Sequence, residues 1–253
     1  MMRTITSIAE WRRVRAELPA SPRGIGFVPT MGNLHAGHRA LLERARVESD
    51  VTVLSIFVNP TQFNDPRDLA VYPRTLPEDL ALAAGLADYV FAPTPAEIYP
   101  DEYRFRVTET KLAQELEGAH RPGHFDGVLT VVLRLLHLVQ PRRAYFGEKD
   151  WQQLQLVKDM TAAFFLPVEI VACATVREAN GLALSSRNAR LSAGARAAAG
   201  AFSEILRTSP DAATAAQRLT AAGFGVDYVD DRAGVRLGAI RIEGTRLIDN
   251  VPL

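Results

Sequence analysis

The chain has 253 residues, 47% hydrophobic and 23% charged, with 29 basic against 29 acidic side chains and a formal net charge of zero. That composition suits a folded globular protein of one large domain or two smaller ones, and it offers no bulk charge for holding a nucleic acid or an acidic membrane. Cys173 is the only cysteine, which excludes an internal disulfide and a cysteine-rich metal site and suits a reducing compartment.

From the N-terminus, the first fifteen residues carry charges throughout and have no apolar centre of the signal-peptide kind. No apolar run approaches the roughly 20 residues that span a bilayer, so a cytoplasmic protein is expected. A strand is predicted over 25–28. It is followed by Pro29-Thr30-Met31-Gly32-Asn33-Leu34-His35-Ala36-Gly37-His38 and a helix over 36–47. Strand, glycine-bearing turn and helix N-terminus together build an anion site. The first helical N–H groups lack partners, and the dipole places partial positive charge there. His35 and His38 are able to donate to phosphoryl oxygens at that point. The same two residues also fit a capping or packing pair. A zinc pair is disfavoured, because zinc needs at least a third protein ligand.

A buried strand follows over 51–57, then the polar turn Asn59-Pro60-Thr61-Gln62. Gln62 is able to bind a carboxylate or hydroxyl without adding charge. Further along, helices are predicted over 77–84, 127–139 and 151–165, and strands over 89–91, 144–146 and 168–171. This alternation predicts an α/β fold: a Rossmann-like, doubly wound parallel sheet with ligands beyond the carboxyl ends of its strands. Phe146-Gly147-Glu148-Lys149-Asp150-Trp151-Gln152-Gln153 leaves one of those strands. Only three lysines occur in the chain, so Lys149 inside a motif points to a phosphate. Gln153 lies one turn into the next helix.

The pattern changes near Val176. Ala-rich helices are predicted over 192–206 and 211–222, with short strands over 225–230, 236–242 and 245–248. This gives two domains, 1–176 and a small C-terminal α+β lid domain 177–253, with a hinge over 177–185. Just past the hinge, Leu184-Ser185-Ser186-Arg187 offers hydroxyls and a guanidinium to phosphate. Ser185 or Ser186 also fits a simple cap, and Asn188 fits a structural role.

Taken together, these segments resemble the pantoate–β-alanine ligase family. The resemblance covers most of residues 24–192 and rests on six motifs. They are Pro-Thr-Met-Gly-x-Leu-His-x-Gly-His, Ile-Phe-Val-Asn-Pro-x-Gln-Phe, Asp-Leu-x-x-Tyr-Pro-Arg-Thr from Asp68, Arg-Pro-x-His-Phe-x-Gly-Val from Arg121, Phe-Gly-x-Lys-Asp-x-Gln-Gln and Ser-Ser-Arg-Asn. It implies ATP-dependent condensation of (R)-pantoate with β-alanine through pantoyl adenylate, releasing pyrophosphate and then AMP. It also implies Mg²⁺ carried by the triphosphate and a homodimer, with neither nucleic acid nor membrane as partner. By position, His38 is implied as proton donor with His35 and Lys149 beside it. Met31, Gly32, Asn33, Leu34, His35, Ala36, Gly37 and His38 are implied at ATP, with Gly147, Glu148, Lys149, Asp150, Val176, Leu184, Ser185, Ser186 and Arg187. Gln62 and Gln153 are implied at pantoate, and Gln62 also at β-alanine. Arg121 and His124 lie in a matching motif with no role assigned. Two alternatives stay open: a nucleotidylyltransferase that stops after transferring AMP, and a nucleotide-binding regulatory module. Leu184 stands where many members have Met, Trp151 replaces Tyr or Phe, and the segment after Asn188 is short.

Overall fold

Alternating side chains of the central strands face two different cores. Phe27 and Val53 point to one, Val28, Leu54 and Val90 to the other, and all five are completely buried. A strand buried on both faces reads as a continuous apolar run, and helices must cover each face. The structure, a computed structural model, describes residues 2–18 and 21–253.

In chain order the elements are β1 (Arg3–Ile5), α1 (Ile8–Glu17), β2 (Ile25–Thr30), α2 (Ala36–Glu48), β3 (Val51–Ile56), α3 (Pro66–Ala70), α4 (Leu76–Ala83), β4 (Tyr89–Phe91), α5 (Pro95–Ile98) and α6 (Leu116–His120). There follow α7 (His124–Val139), β5 (Arg143–Gly147), α8 (Trp151–Ala163), β6 (Glu169–Cys173), α9 (Ala193–Ala199), α10 (Ala201–Thr208), α11 (Ala212–Ala221), β7 (Gly225–Arg232), β8 (Val235–Ile242) and β9 (Thr245–Pro252).

The chain falls into two compact units. The first comprises Met1–Leu34, His38–Phe146 and Gln152–Cys173. Its sheet has the order β1-β4-β3-β2-β5-β6, and the pairs β1–β4, β4–β3, β3–β2 and β2–β5 are parallel. Strand order reverses between β2 and β5. That is the switch point at which open α/β sheets bind ligands.

The edge strand β1 and helix α1 lie outside the predicted elements. In α1 the charged residues Arg12, Arg13 and Arg15 flank the buried Trp11 and Val14, with Ile8 and Leu18 partly buried against the same core. Trp11 is nonetheless fully buried, packs on Phe91, and donates its indole N–H to Leu138 O at 2.7 Å. Among the described residues no helix is long and apolar enough to cross a membrane.

The second unit comprises His35–Gly37, Gly147–Trp151 and Ala174–Leu253. Its antiparallel sheet, β7-β8-β9, turns at Ala233-Gly234 and Glu243-Gly244, all four residues with positive φ. This is the two-residue geometry that matches strand twist. Phe202, Leu206, Leu219 and Ile240 form its core. The helix predicted over 192–206 is two helices. They meet at Gly200, where a Cβ would fall 2.7 Å from Asn180 O. Asn180 packs against that junction, and its amide donates to Arg196 O at 3.0 Å.

Candidate active site

Two segments leave the sheet at the switch point. The one after β2 is held by a buried carboxylate. Asp79, 2% exposed, accepts the N–H of Asn33 at 3.0 Å and that of Leu34 at 2.7 Å. A side chain at Gly32 would strike the same carboxylate, at 2.9 Å. The amides of Asn33 and Leu34 therefore fix the path of the turn, and the donors left for an anion begin at the α2 N-terminus. Asp79 carries no sequence signal beyond that of an acid in the first turn of a helix.

His35 accepts the N–H of Gly37 on Nδ1 at 3.1 Å. An Nδ1 that accepts carries no proton, so the ring is neutral with its hydrogen on Nε2. Burial lowers the His35 pKa below the ordinary 6.5, the Lys149 cation lowers it further, and Asp150 opposes both. A depressed histidine contributes stability that is complete above the unfolded value and is lost as the pH falls through the folded one. His35 is thus expected to titrate below 6.5 by NMR and to move upward in Lys149→Met. A midpoint at the ordinary value in both proteins would remove the electrostatic coupling.

After β5 comes a one-turn 3-10 helix, Glu148–Asp150. The Lys149 side chain is 17% exposed, with its ammonium 3.7 Å from Asp150. Gly147 has open space where a side chain would sit. Glu148 is exposed. Lys149 shares a cleft with Ser185, Arg187, Asn188 and Arg246. Arg246 had no motif to announce it. It is aimed by Asp227, whose carboxylate accepts from Arg246 Nε at 2.5 Å and from Arg241 Nε at 2.8 Å. Val176 and Leu184 are brought together, the N–H of Leu184 donating to Val176 O at 2.9 Å. Ser185 caps the following turn through the N–H of Arg187, at 3.2 Å. Asn188 donates to Glu178 at 2.7 Å and to Ala183 O at 3.1 Å. Those are the capping and structural roles open to these two residues from sequence.

A separate cluster in the first unit surrounds Gln62. Asn59, 1% exposed, donates to Gln62 Oε1 at 2.9 Å and to Gly127 O at 3.1 Å. Its own oxygen accepts from Tyr99 Oη at 2.7 Å and from Thr61 Oγ1 at 3.0 Å. Burial pushes the Tyr99 phenol up to about 12, keeping it a donor. With Oε1 engaged, Gln62 presents its NH₂. Arg121 and His124 now have a place. His124 Nδ1 donates to Gln62 O at 2.9 Å, and His124 Nε2 accepts from Arg121 Nη1 at 3.0 Å. Gln153, half-buried, lies on α8 in the same unit. Its neighbour Gln152 is structural, bonded to Glu117 N, Leu112 O and Glu115 O.

A phosphate-ready helix N-terminus at the switch point, with a cationic cleft in the second unit, defines the class of nucleotide-dependent α/β enzymes. Comparison with known proteins narrows the class. A family model described as pantoate-beta-alanine ligase matches residues 3–252. The pantothenate synthetase of Bdellovibrio bacteriovorus is 49% identical over the whole chain and 99% of its own length. A crystal structure of pantoate-beta-alanine ligase from Francisella tularensis, complexed with beta-gamma ATP and beta-alanine, superposes with a TM-score of 0.92 at 40% identity, covering 100% of this chain and 98% of the other. That of pantothenate synthetase from Thermus thermophilus gives 0.89 at 45% identity, covering 99% of each. The chain belongs to the pantoate–β-alanine ligase family. It is an enzyme that condenses pantoate with β-alanine in an ATP-dependent reaction through pantoyl adenylate.

Proposed function

We propose that this reaction is carried out by the two clusters described above. The nucleotide is anchored by residues of the second unit. The triphosphate meets the N-terminus of α2 through the Ala36 N–H, the Nε2–H of His35, whose ring needs the space that Gly37 leaves, and the side chains of Lys149, Ser186 and Arg187, with Arg246 adding positive potential. Adenine lies along Val176 and Leu184. The open space at Gly147 lets the nucleotide approach the main chain, with Asp150 at the ribose. Met31, Gly32, Asn33 and Leu34 shape the turn that presents His38, the proton donor. Gln62 and Gln153 hold pantoate through neutral amides, which orient its carboxylate without neutralising it.

In the first step a carboxylate oxygen of pantoate attacks the α-phosphorus, and the bond to pyrophosphate breaks. Both reactants are anions, so donors must offset their repulsion and receive the charge that grows on the leaving group. In the second step the amine of β-alanine, guided by Gln62, attacks the acyl carbon and AMP leaves. The observation that carries this reading is the His35 Nδ1 that accepts the Gly37 N–H at 3.1 Å, which leaves Nε2–H to donate, with the Lys149 charge coupled to the ring. A donor that keeps its proton near neutral pH suits an oxygen-rich ligand.

The substrate form is MgATP. Among the described residues no group of three His, Cys, Asp or Glu gathers as a metal cage. The cleft's cationic donors suit phosphate oxygens, and Mg²⁺ is commonly held by substrate phosphates. The ion screens the phosphates when bound. The protein is further proposed to act as a cytoplasmic homodimer, a state that light scattering reads directly.

Omitting β-alanine tests the two-step order. Pyrophosphate release is expected to require pantoate and to stop at about one equivalent per active site, because the adenylate then has no amine to meet. Adding β-alanine is expected to restore turnover, with AMP and pantothenate formed together. Release of pyrophosphate without pantoate would overturn the order.

A further inference from the structure

Within the second unit, the end of β9 carries Asp249 and Asn250. The Asn250 side-chain NH₂ donates to two successive main-chain carbonyls, Glu148 O at 2.8 Å and Lys149 O at 3.0 Å. Two acceptors one residue apart, both held by one amide, fix the rotation of that peptide as well as its place. Asp249, its side chain 1% exposed, accepts a guanidinium fork from Arg177 at 2.6 and 3.0 Å. Arg177 also donates to Asn250 O and to Gly181 O, each at 3.1 Å. One strand end thus ties down both the Lys149 turn and the segment that follows Val176. The two Asn250 bonds add a constraint on this turn from a distant strand. The 3-10 turn has no side-chain cap of its own.

We infer that Asn250 is a positioning residue for adenylation, setting the direction from which the Lys149 ammonium meets the triphosphate. It touches neither substrate nor reacting atoms, and it acts through the two carbonyls. The inference rests on the reading of Lys149 as a phosphate ligand. It takes asparagine in particular: aspartate has no hydrogen to donate and would face two carbonyl oxygens with a charge.

The test is a cycle of wild type, Lys149→Ala, Asn250→Ala and the double variant, with Asn250→Ser as a milder change that keeps one donor. Two steps are measured separately: pantoate-dependent ATP–pyrophosphate exchange, and single-turnover reaction of β-alanine with supplied pantoyl adenylate. Loss of two hydrogen bonds is expected to lower kcat/KM for ATP in exchange about tenfold. Asn250→Ser is expected to fall between Asn250→Ala and wild type. The second step, which does not use the lysine's phosphate contact, is expected to change less than about twofold. In the Lys149→Ala background the same change is expected to cost little more, since coupled residues are not additive.

Equal losses in both steps would show a merely structural role and overturn the inference. Losses that multiply across the cycle would overturn it as well. Normal exchange by Asn250→Ala beside a crippled Lys149→Ala removes the positioning role alone. Normal exchange by Lys149→Ala removes the reading of the lysine, and the role of Asn250 with it.

Discussion

Alanine at Lys149 is expected to slow pantoate-dependent ATP–pyrophosphate exchange by about a hundredfold, the usual loss when one preorganised donor to a developing charge is removed. Adenylation starts with two anions and ends with pyrophosphate carrying charge that the α-phosphorus had shared. A cation fixed where that charge appears is worth more in the transition state than in the ground state, so kcat falls more than the KM for ATP rises. The lysine is set up for this. Its side chain is largely covered, and among the described residues the carboxylate at salt-bridge distance is its neighbour Asp150, 3.7 Å away. Arg187 and Arg246 line the same cleft, so the loss is a decrement and not abolition. Lys149→Arg is expected to recover part of the rate, because a planar fork cannot place its charge where a compact ammonium does. The same alanine variant relieves His35 of a repulsive neighbour, so the imidazole pKa should rise as exchange falls. A change in exchange smaller than about threefold would take Lys149 out of the chemistry.

The central strands were legible because burial on both faces leaves near-continuous apolar runs, and β-branched residues mark them. The site motifs were legible because each is contiguous, so local spacing carries them. What supports the site was not. Asp79 lies 46 residues from Asn33, and Asn250 lies 102 residues from Glu148. Neither partner leaves a local periodicity. Tyr99 and Arg246 reached their places through tertiary packing that no short window shows. The N-terminal strand and helix were hidden for a different reason. Three arginines interrupt an apolar face of which Trp11 and Val14 are the buried members. The junction at Gly200 was equally silent, since a lone glycine in an alanine-rich run reads as a tolerated helical residue. What requires glycine there is Asn180, 2.7 Å from where a Cβ would sit, and it is far away in sequence.

Gly127→Ala is the second large expected effect, and its sign runs against helix propensity. Alanine normally favours a helix interior over glycine by about 1 kcal/mol. At Gly127 its Cβ would lie 2.5 Å from Thr61 O, 2.6 Å from Thr61 C and 2.8 Å from Gln62 Cα. All three are main-chain atoms, so no rotamer change relieves the clash. Helix α7 is buried along most of its length and resists displacement, which leaves the Thr61-Gln62 turn to move. The overpacking is expected to cost about 2 kcal/mol of stability. Displacing the turn also breaks the register of Gln62 with Asn59 and His124. A shift of that kind is expected to lower kcat/KM for pantoate about twentyfold, a cautious figure for a misplaced binding group, with the KM for ATP unchanged. Gly194→Ala is the matched control. Its Cβ would meet only Ser192 Oγ, at 3.9 Å, on the exposed helix α9. It is expected to gain about 0.5 kcal/mol through the unfolded chain and to leave both constants alone. If Gly127→Ala lost stability while its pantoate constants held, the strain would have gone into α7. That outcome would overturn the expectation that the Thr61-Gln62 turn is the part that gives way.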